Sequence, residues 1–449
     1  MSEININTRR IVLFLFMFSF VLQLPLLNYI TDDTFNMLMV GKNIANGNGF
    51  SFSPGTFAWA YTPVLPAFIS GFFHMLSFSH AILAAKLISS FLTSVSVLAI
   101  FILAKKVIKN TKISLLVCFL WAINPWLIRY SFSGLETSIF SVFLIASAIA
   151  FKRNTFLGSI LVGLTCLIRP DAWLFFPLLL IFSIKKRKNL FFLVISFLIL
   201  FTWLVYSFYN FGTIFPTGSK SLHFHISTFN ILFFFTEFFV LFPPFIVSLK
   251  YLKNQEDWLY VLLVCGAVFF YIFIGTGSPR YMAGFTPIFL VYAFFGAKEA
   301  IKNSHMFNGI TMIFIAKTLL SLIFVYSFYS VYINDFRMNH YAVAEWIKHN
   351  TPENITIYVA SFPGTITYIS GRDTIGIHPD IFPNSHMFIG KESEYIKLKK
   401  PDYMYVPEET SKETIGELYP YLTKIMSGQY TTFSLVNINI TFTLYRINW

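Results

Sequence analysis

The strongest constraint on this chain is a succession of apolar runs, most of them close to twenty residues long, that ends near residue 333. Crossing about 30 Å of hydrocarbon takes roughly 20 apolar residues in a helix, and only helices or closed barrels satisfy every backbone polar group there. Eleven runs approach or reach that length: residues 11 to 30, 81 to 104, 113 to 130, 134 to 151, 155 to 168, 170 to 184, 189 to 209, 228 to 249, 257 to 275, 281 to 297 and 307 to 331. The fifth and sixth are short. With 56% hydrophobic and only 12% charged residues, a soluble globule of this chain would carry an apolar surface. The fold class expected is a polytopic α-helical membrane protein with about eleven transmembrane helices over residues 1 to 332. A small soluble α/β domain over 333 to 449 follows it.

Lys and Arg in short loops are retained on the cytoplasmic side. Placing the N-terminus inside, with Arg9 and Arg10, also puts inside the clusters KKVIKNTK (105 to 112), KRN (152 to 154), KKRKN (185 to 189), KYLKNQED (250 to 257) and KEAIKNSH (298 to 305). The other side receives mainly single cations: Lys42, Arg129, Arg169, Lys220 and Arg280. Merging the short fifth and sixth runs would send KKRKN outside, so they are expected to form a hairpin with Arg169, Pro170 and Asp171 at its outer tip. The formal charge of +12 therefore reads as anchoring to the inner leaflet of the bilayer, not as a nucleic-acid surface. LQLPLLNYITDD lacks the small-x-small pattern of a cleaved signal, so the first run is expected to be an uncleaved anchor. Cys118, Cys166 and Cys265 lie within apolar runs and have neither zinc nor disulfide spacing.

On this topology Asp32 and Asp33 stand at the outer mouth of the first helix and open a long loop from 31 to 80. FNMLMVGKNIA (35 to 45) carries Phe35, Leu38, Met39 and Ile44 on one face, which predicts a helix lying in the membrane interface. NGNGFSFSPG (46 to 55) supplies turn residues for a non-helical connection, and the segment from 58 to 76 returns to the membrane surface with aromatic anchors. An acidic pair just before a helix can cap its free amides; one of the pair can instead act as a general base. Capping accounts for one carboxylate better than for two. Arg129 with Glu136, Arg169 with Asp171, Tyr209 with Lys220, and Arg280 with Tyr281 are assigned to the same side. Singly, such residues anchor helix ends. Together with the acidic pair they suit an anionic, lipid-borne substrate whose phosphate needs positive charge as it leaves. Lys86 and Glu237 sit deeper, where an unpaired charge costs roughly 3 kcal/mol or more, so partners are expected.

TDDTFNMLMVGKNIANGNGFSFSPG followed by AYTP resembles the first outer loop of the GT-C superfamily of multi-spanning glycosyltransferases. The likeness is greatest to the terminal arabinofuranosyltransferase and protein mannosyltransferase-like bacterial branch. SGLETSIF, LIRPDAWLFFPL and RYMAGFTPIFL extend it in order over most of residues 10 to 300. The resemblance implies a transferase that moves one sugar from a polyprenyl-phosphate carrier to a hydroxyl of a glycan, lipid or protein acceptor on the non-cytoplasmic face, with inversion. It carries over Asp32 and Asp33 as the base pair, with Asp33 preferred, and Tyr61, Lys86, Glu136, Arg169, Asp171, Lys220, Arg280 and Tyr281 as substrate-binding residues. This sequence departs from the pattern at AWAYTP, where Trp59 and Ala60 replace a Glu-Gly pair, and at FPTGSK, which keeps Pro216 and Lys220 but loses the intervening motif.

No cofactor is assigned: HFH (223 to 225) has two histidines without a nearby carboxylate, so a divalent cation has no support in the sequence. Beyond residue 335, HYAVAEWIKHNTPEN predicts an amphipathic helix ending before Pro352, ITIYVA a strand followed by a Gly-bearing turn, and PDYMYVPE and TTFSLVNINITFTLYRI further strands. An odd number of spans places this domain outside, beside the acidic loop. Two other classes fit less of the sequence. A lipid-linked oligosaccharide ligase or polymerase would draw on a diphosphate carrier. A transporter or flippase would be expected to show inverted repeats and polar groups near the midplane.

Overall fold

The computed structural model describes residues 5 to 53, 56 to 57, 63 to 77, 80 to 134, 136 to 151, 155 to 183, 187 to 215, 240 to 274, 280 to 301, 303 to 377, 381 to 382, 385 to 408, 416 to 432 and 438 to 449. Helix α1 (Ile6–Gln23) starts behind Asn5, whose side chain accepts from the Asn7 amide, and passes into a 3-10 turn (Leu24–Leu26) at Pro25. The first long loop folds as α2 (Asp32–Ala45), a ribbon of β1 (Ser51–Ser53) with β2 (Thr56–Phe57), and α3 (Val64–Leu76). Next come α4 (Ala81–Ile108), α5 (Thr111–Ala122), α6 (Pro125–Ser131), α7 (Glu136–Phe151), α8 (Thr155–Ile168) and α9 (Phe175–Ser183). The helical part ends with α10 (Arg187–Phe211), α11 (Phe242–Tyr251), α12 (Gln255–Ile274), α13 (Arg280–Ala283), α14 (Thr286–Ala300) and α15 (Ser304–Phe336).

Among the described residues four helices are long and apolar enough to cross a membrane: Ile6–Leu26, Ala81–Ile108, Leu190–Phe211 and Ser304–Ser327. A fifth crossing is available if α5 and α6, bent by 49° where Pro125 removes a backbone donor, act as one span. Several runs that read as spans are shorter helices, such as α8 and α9, which are separated by a 3-10 turn (Pro170–Leu174). Most of the run from 228 to 249 lies outside the described residues. The α1, α4, α5 and α7 helices meet through hydroxyl and amide side chains: Ser90 Oγ donates to Gln23 Oε1 at 2.7 Å, Thr93 Oγ1 to Ser138 Oγ at 2.7 Å, and Trp121 Nε1 to Ser96 Oγ at 2.8 Å. Bonds of this kind join helices that apolar surface alone would not distinguish from lipid.

No linker marks the expected boundary at residue 333. Helix α15 runs through it into a π-helical turn (Arg337–Tyr341) and on to α16 (Ala342–Asn350). Then follow β3 (Thr356–Val359), α17 (Pro363–Ser370), β4 (Asp373–Ile375), α18 (Glu392–Lys399), β5 (Tyr403–Pro407), β6 (Leu422–Thr432) and β7 (Ile438–Ile447). Where the sequence predicts a turn after β3, the chain instead forms α17. The sheet has the order β4-β3-β5-β7-β6, with β3 parallel to β4 and β5, and β7 antiparallel to β5 and β6. Period-2 alternation sends Ile357, Val359, Tyr405, Phe442 and Leu444 into one core, and Tyr358, Met404, Val406, Tyr445 and Ile447 into another on the opposite face.

The first of those cores also contains Phe35, Leu38 and Met39 of α2. The expectation that this helix rests its apolar face on the bilayer is corrected here: α17 lies against that face, with the Tyr368 ring 5.6 Å from that of Phe35, in a core both share with the sheet. Ile44 packs on the other flank with Met37, Val40, Phe50 and Trp203. On the same loop, α3 leaves Phe68, Phe72, Met75 and Leu76 exposed. Contact between α2 and α17 is close enough to require glycine, since a Cβ on Gly364 would lie 2.7 Å from the Asp32 carbonyl oxygen and closer still to Asn36. Just before it, Phe362 adopts φ 61°, a left-handed conformation that costs a side-chain-bearing residue about 1–2 kcal/mol. Its ring stacks on His340 with centroids 3.8 Å apart and meets Phe442 edge-on at 5.7 Å.

Gly364→Ala is therefore expected to lift α17 from α2 without disturbing the helical bundle. Hydrogen exchange should rise across α2 and α17 and remain native in α4.

Candidate active site

Helix α2 begins at the acidic pair. Asp32 and Asp33 are its first two residues, with Thr31 in the N-cap position making no side-chain capping bond. The capping role weighed from the sequence is thus found in an altered form, because Asp32 caps a different helix. Its Oδ1 accepts from the Thr365 amide and from Thr365 Oγ1, each at 2.7 Å, while Oδ2 faces the Gly364 amide and Asn36 Nδ2, each at 3.4 Å. Asp33, one position on, is exposed. Burial raises the Asp32 carboxyl from its ordinary 3.8 to about 6; the hydrogen bonds from Thr365 and Gly364 lower it, and the neighbouring charge of Asp33 raises it further. That basicity would suit proton transfer, but four donors already surround the two oxygens.

Thr34 ties the pair to the next loop. Its hydroxyl donates to the Ser133 carbonyl, and Gly134, at φ 74°, leaves room for the Thr34 methyl, which a Cβ there would approach to 2.9 Å. Ala85 lies on the other side of Gly134, and its neighbour Lys86 is buried, with Nζ donating to the Leu27 carbonyl at 2.9 Å. The partner found for Lys86 at this point is the backbone just ahead of the acidic pair.

Two residues after Gly134, Glu136 opens α7 and faces Arg169, which stands at the break between α8 and the 3-10 turn. Arg169 Nη2 lies 2.7 Å from Asp171 Oδ2, and Nε lies 3.1 Å from both Asp171 oxygens, while Nη1 reaches Glu136 Oε1 at 3.4 Å. The three side chains are only 4 to 7% exposed. Tyr271 accepts from Arg169 Nη2 at 2.9 Å and donates to Asp171 Oδ2; its ring stacks on Tyr281 at 5.3 Å. The guanidinium also lies 5.1 Å from the ring centres of Phe140 and Tyr281. Four residues nominated from three motifs, Glu136, Arg169, Asp171 and Tyr281, are thus in one cluster. Tyr271 and Phe140 were not nominated. The one available signal for Tyr271 was a phenol inside an apolar run, which needs a hydrogen-bond partner when buried.

Arg129 is held separately, with its guanidinium 4.5 Å from the centre of the Tyr329 ring and 4.9 Å from that of Tyr130. Tyr61, Lys220, Glu237, His223 and His225 lie outside the described residues, as does the side chain of Arg280 at the start of α13. Among the described residues no group of three His, Cys, Asp or Glu side chains is placed to hold a metal ion.

The bundle, the interrupted first loop with its acidic helix, and the small sheet seated on it define a GT-C-like fold. Solved structures with this architecture include the archaeal oligosaccharyltransferase AglB from Archaeoglobus fulgidus, in complex with an inhibitory peptide and a dolichol-phosphate. It is 12% identical with a TM-score of 0.61, over 94% of this chain and 73% of that one. ArnT from Cupriavidus metallidurans bound to undecaprenyl phosphate is 9% identical with a TM-score of 0.63, over 96% of this chain and 97% of that one. No family model and no curated protein matches the sequence. At these identities the likeness establishes the fold.

Two outcomes follow from the electrostatics. Arg169→Met would leave Glu136 and Asp171 without their cation in a buried setting, so a loss of about 3–5 kcal/mol is expected. Arg169→Lys should restore only part of it, because an ammonium cannot reproduce the forked contacts. Thermal unfolding in detergent checks both. Asp32 holds its proton more tightly in the folded chain than in the unfolded one. Its contribution to stability therefore declines as pH rises from about 4 to about 6 and is level outside that window. Asp32→Asn should gain stability relative to the native chain across the same window, read as the difference between melting temperatures at pH 4 and pH 7.

Proposed function

We propose that this protein is a membrane glycosyltransferase that moves a single sugar from a polyprenyl-phosphate donor to a hydroxyl of a cell-envelope glycan, lipid or protein acceptor on the non-cytoplasmic face. The observation that carries the reading is the exposed Asp33 carboxylate on an ordered loop helix, with the buried cation Lys86 contacting the backbone a few residues before it, in a GT-C-like fold. Solved proteins of that fold have been captured with dolichol-phosphate and undecaprenyl phosphate. The ordered motifs favour the arabinofuranosyltransferase and protein mannosyltransferase-like branch.

In this mechanism Asp33 takes the proton of the acceptor hydroxyl as its oxygen attacks the anomeric carbon from the side opposite the phosphate. The new carbon–oxygen bond forms while the bond to the phosphate oxygen breaks, and the configuration inverts. The departing polyprenyl phosphate gains a negative charge. Lys86, with Lys220 and Arg280, offsets that charge where low polarity makes each interaction stronger. The cluster of Glu136, Arg169, Asp171 and Tyr271 shapes the site rather than meeting the phosphate, because the guanidinium is already engaged by two carboxylates.

A lipid-linked oligosaccharide ligase is the second reading, favoured by the TM-score of 0.63 to the apo oligosaccharyltransferase, equal to that of ArnT. Purified protein in nanodiscs, offered radiolabelled polyprenyl-phosphate sugars, should release one sugar slowly to water. Asp33→Asn should lower that rate by about 10²–10⁴, the usual worth of a positioned base. Turnover only of a diphosphate-linked oligosaccharide would replace this reading with the ligase.

A further inference from the structure

Helix α17 begins without a side chain to cap it. Its N-cap residue is Phe362, which has no acceptor, whereas helices ordinarily satisfy their first free amides with Ser, Thr, Asp or Asn at that position. Here the acceptor comes from the far end of the chain: Asp32 takes the Thr365 amide and hydroxyl on one oxygen and faces the Gly364 amide with the other, across 333 and 332 positions. The rest of α17 continues the contact. Tyr368 packs its ring 5.6 Å from Phe35 of α2 and sets its hydroxyl 3.0 Å from Nε2 of His74 in α3. Asp33 takes no part in the capping bonds and is exposed.

We propose that Asp32 is a positioning residue: by capping α17 in trans it seats the C-terminal unit on α2 and sets the place from which Asp33 works, so the two adjacent carboxylates divide docking from chemistry. The part concerning Asp33 rests on its reading as the base; the docking part does not.

Asn accepts at a helix N-cap about as well as Asp, yet an amide cannot serve as a base near neutral pH. Asp32→Asn, Asp32→Ala, Thr365→Val and Asp33→Asn are therefore compared in the full-length protein in nanodiscs. Hydrogen exchange over residues 363 to 370 and donor hydrolysis are followed together. Asp32→Ala should speed exchange at the start of α17 by about two- to thirtyfold, the range that loss of a cap implies, and slow hydrolysis with it. Asp32→Asn should stay within about threefold of the native protein in both. Asp33→Asn should leave exchange native and lower hydrolysis by about 10²–10⁴. Thr365→Val removes one donor while keeping both acids, and carries the comparison if Asp32→Ala does not fold. Native exchange in both Asp32→Ala and Thr365→Val would overturn the cap. Loss of hydrolysis in Asp32→Asn with native exchange would overturn the division of roles and assign chemistry to Asp32. Undiminished hydrolysis in Asp33→Asn would remove Asp33 as the base, leaving the exchange data to decide the cap by themselves.

Discussion

Burial of one face of α2 against α17, in a core that both share with the sheet of residues 356 to 447, is the contact on which the geometry of the acidic loop rests. Phe35 and Leu38 are fully buried there, and each such side chain contributes about 1.5–3 kcal/mol by leaving water. A single hydrogen bond contributes about 1 kcal/mol net. Apolar burial therefore supplies most of the adhesion, while the bonds from Thr365 to Asp32 select which rotation and register of α17 that adhesion stabilises. Apolar surfaces can slide; a carboxylate bonded to two donors of one residue cannot slide with them.

A different constraint governs the cluster around Arg169. Two carboxylates and one guanidinium, all nearly excluded from water, would be a costly arrangement if any member lacked a partner. The cluster closes because Tyr271 both accepts from Arg169 and donates to Asp171. Its members come from α7, the break after α8, and the last turn of α12. The ion cluster therefore joins three segments whose apolar surfaces have little to tell them apart.

The helical bundle was legible because burial in a bilayer imposes one requirement, long apolar runs, and basic clusters punctuate them. The strands at 356 to 359, 403 to 407 and 438 to 447 were legible from alternation. α17 was not, since PGTITYIS is rich in β-branched residues and lacks its own cap; the acceptor for its first amides is Asp32, far away in sequence. Of the four residues that periodicity puts on one apolar face of α2, Phe35, Leu38 and Met39 share a core while Ile44 packs on the other flank, and a sequence gives the period of a helix but not what covers it. In the site, Glu136, the Arg169–Asp171 pair and Tyr281 were named from three motifs and converge, whereas Tyr271 shows its partner only after folding. The eleven runs were counted by apolar character, whereas among the described residues four helices have the length to cross alone, because breaks such as the turn at Pro170–Leu174 divide the runs into shorter helices.

The sequence distance between Asp32 and Thr365 also has a consequence in time. The acceptor oxygens of Asp32 leave the ribosome 333 residues before the donors that bind them, which at about 5–20 residues per second is on the order of 15 to 70 s. During that interval α2 lacks the helix that packs on it and that its carboxylate caps. The acidic loop therefore takes its final setting only after residue 365 has been made, and a nascent chain shorter than that holds Asp32 without its donors.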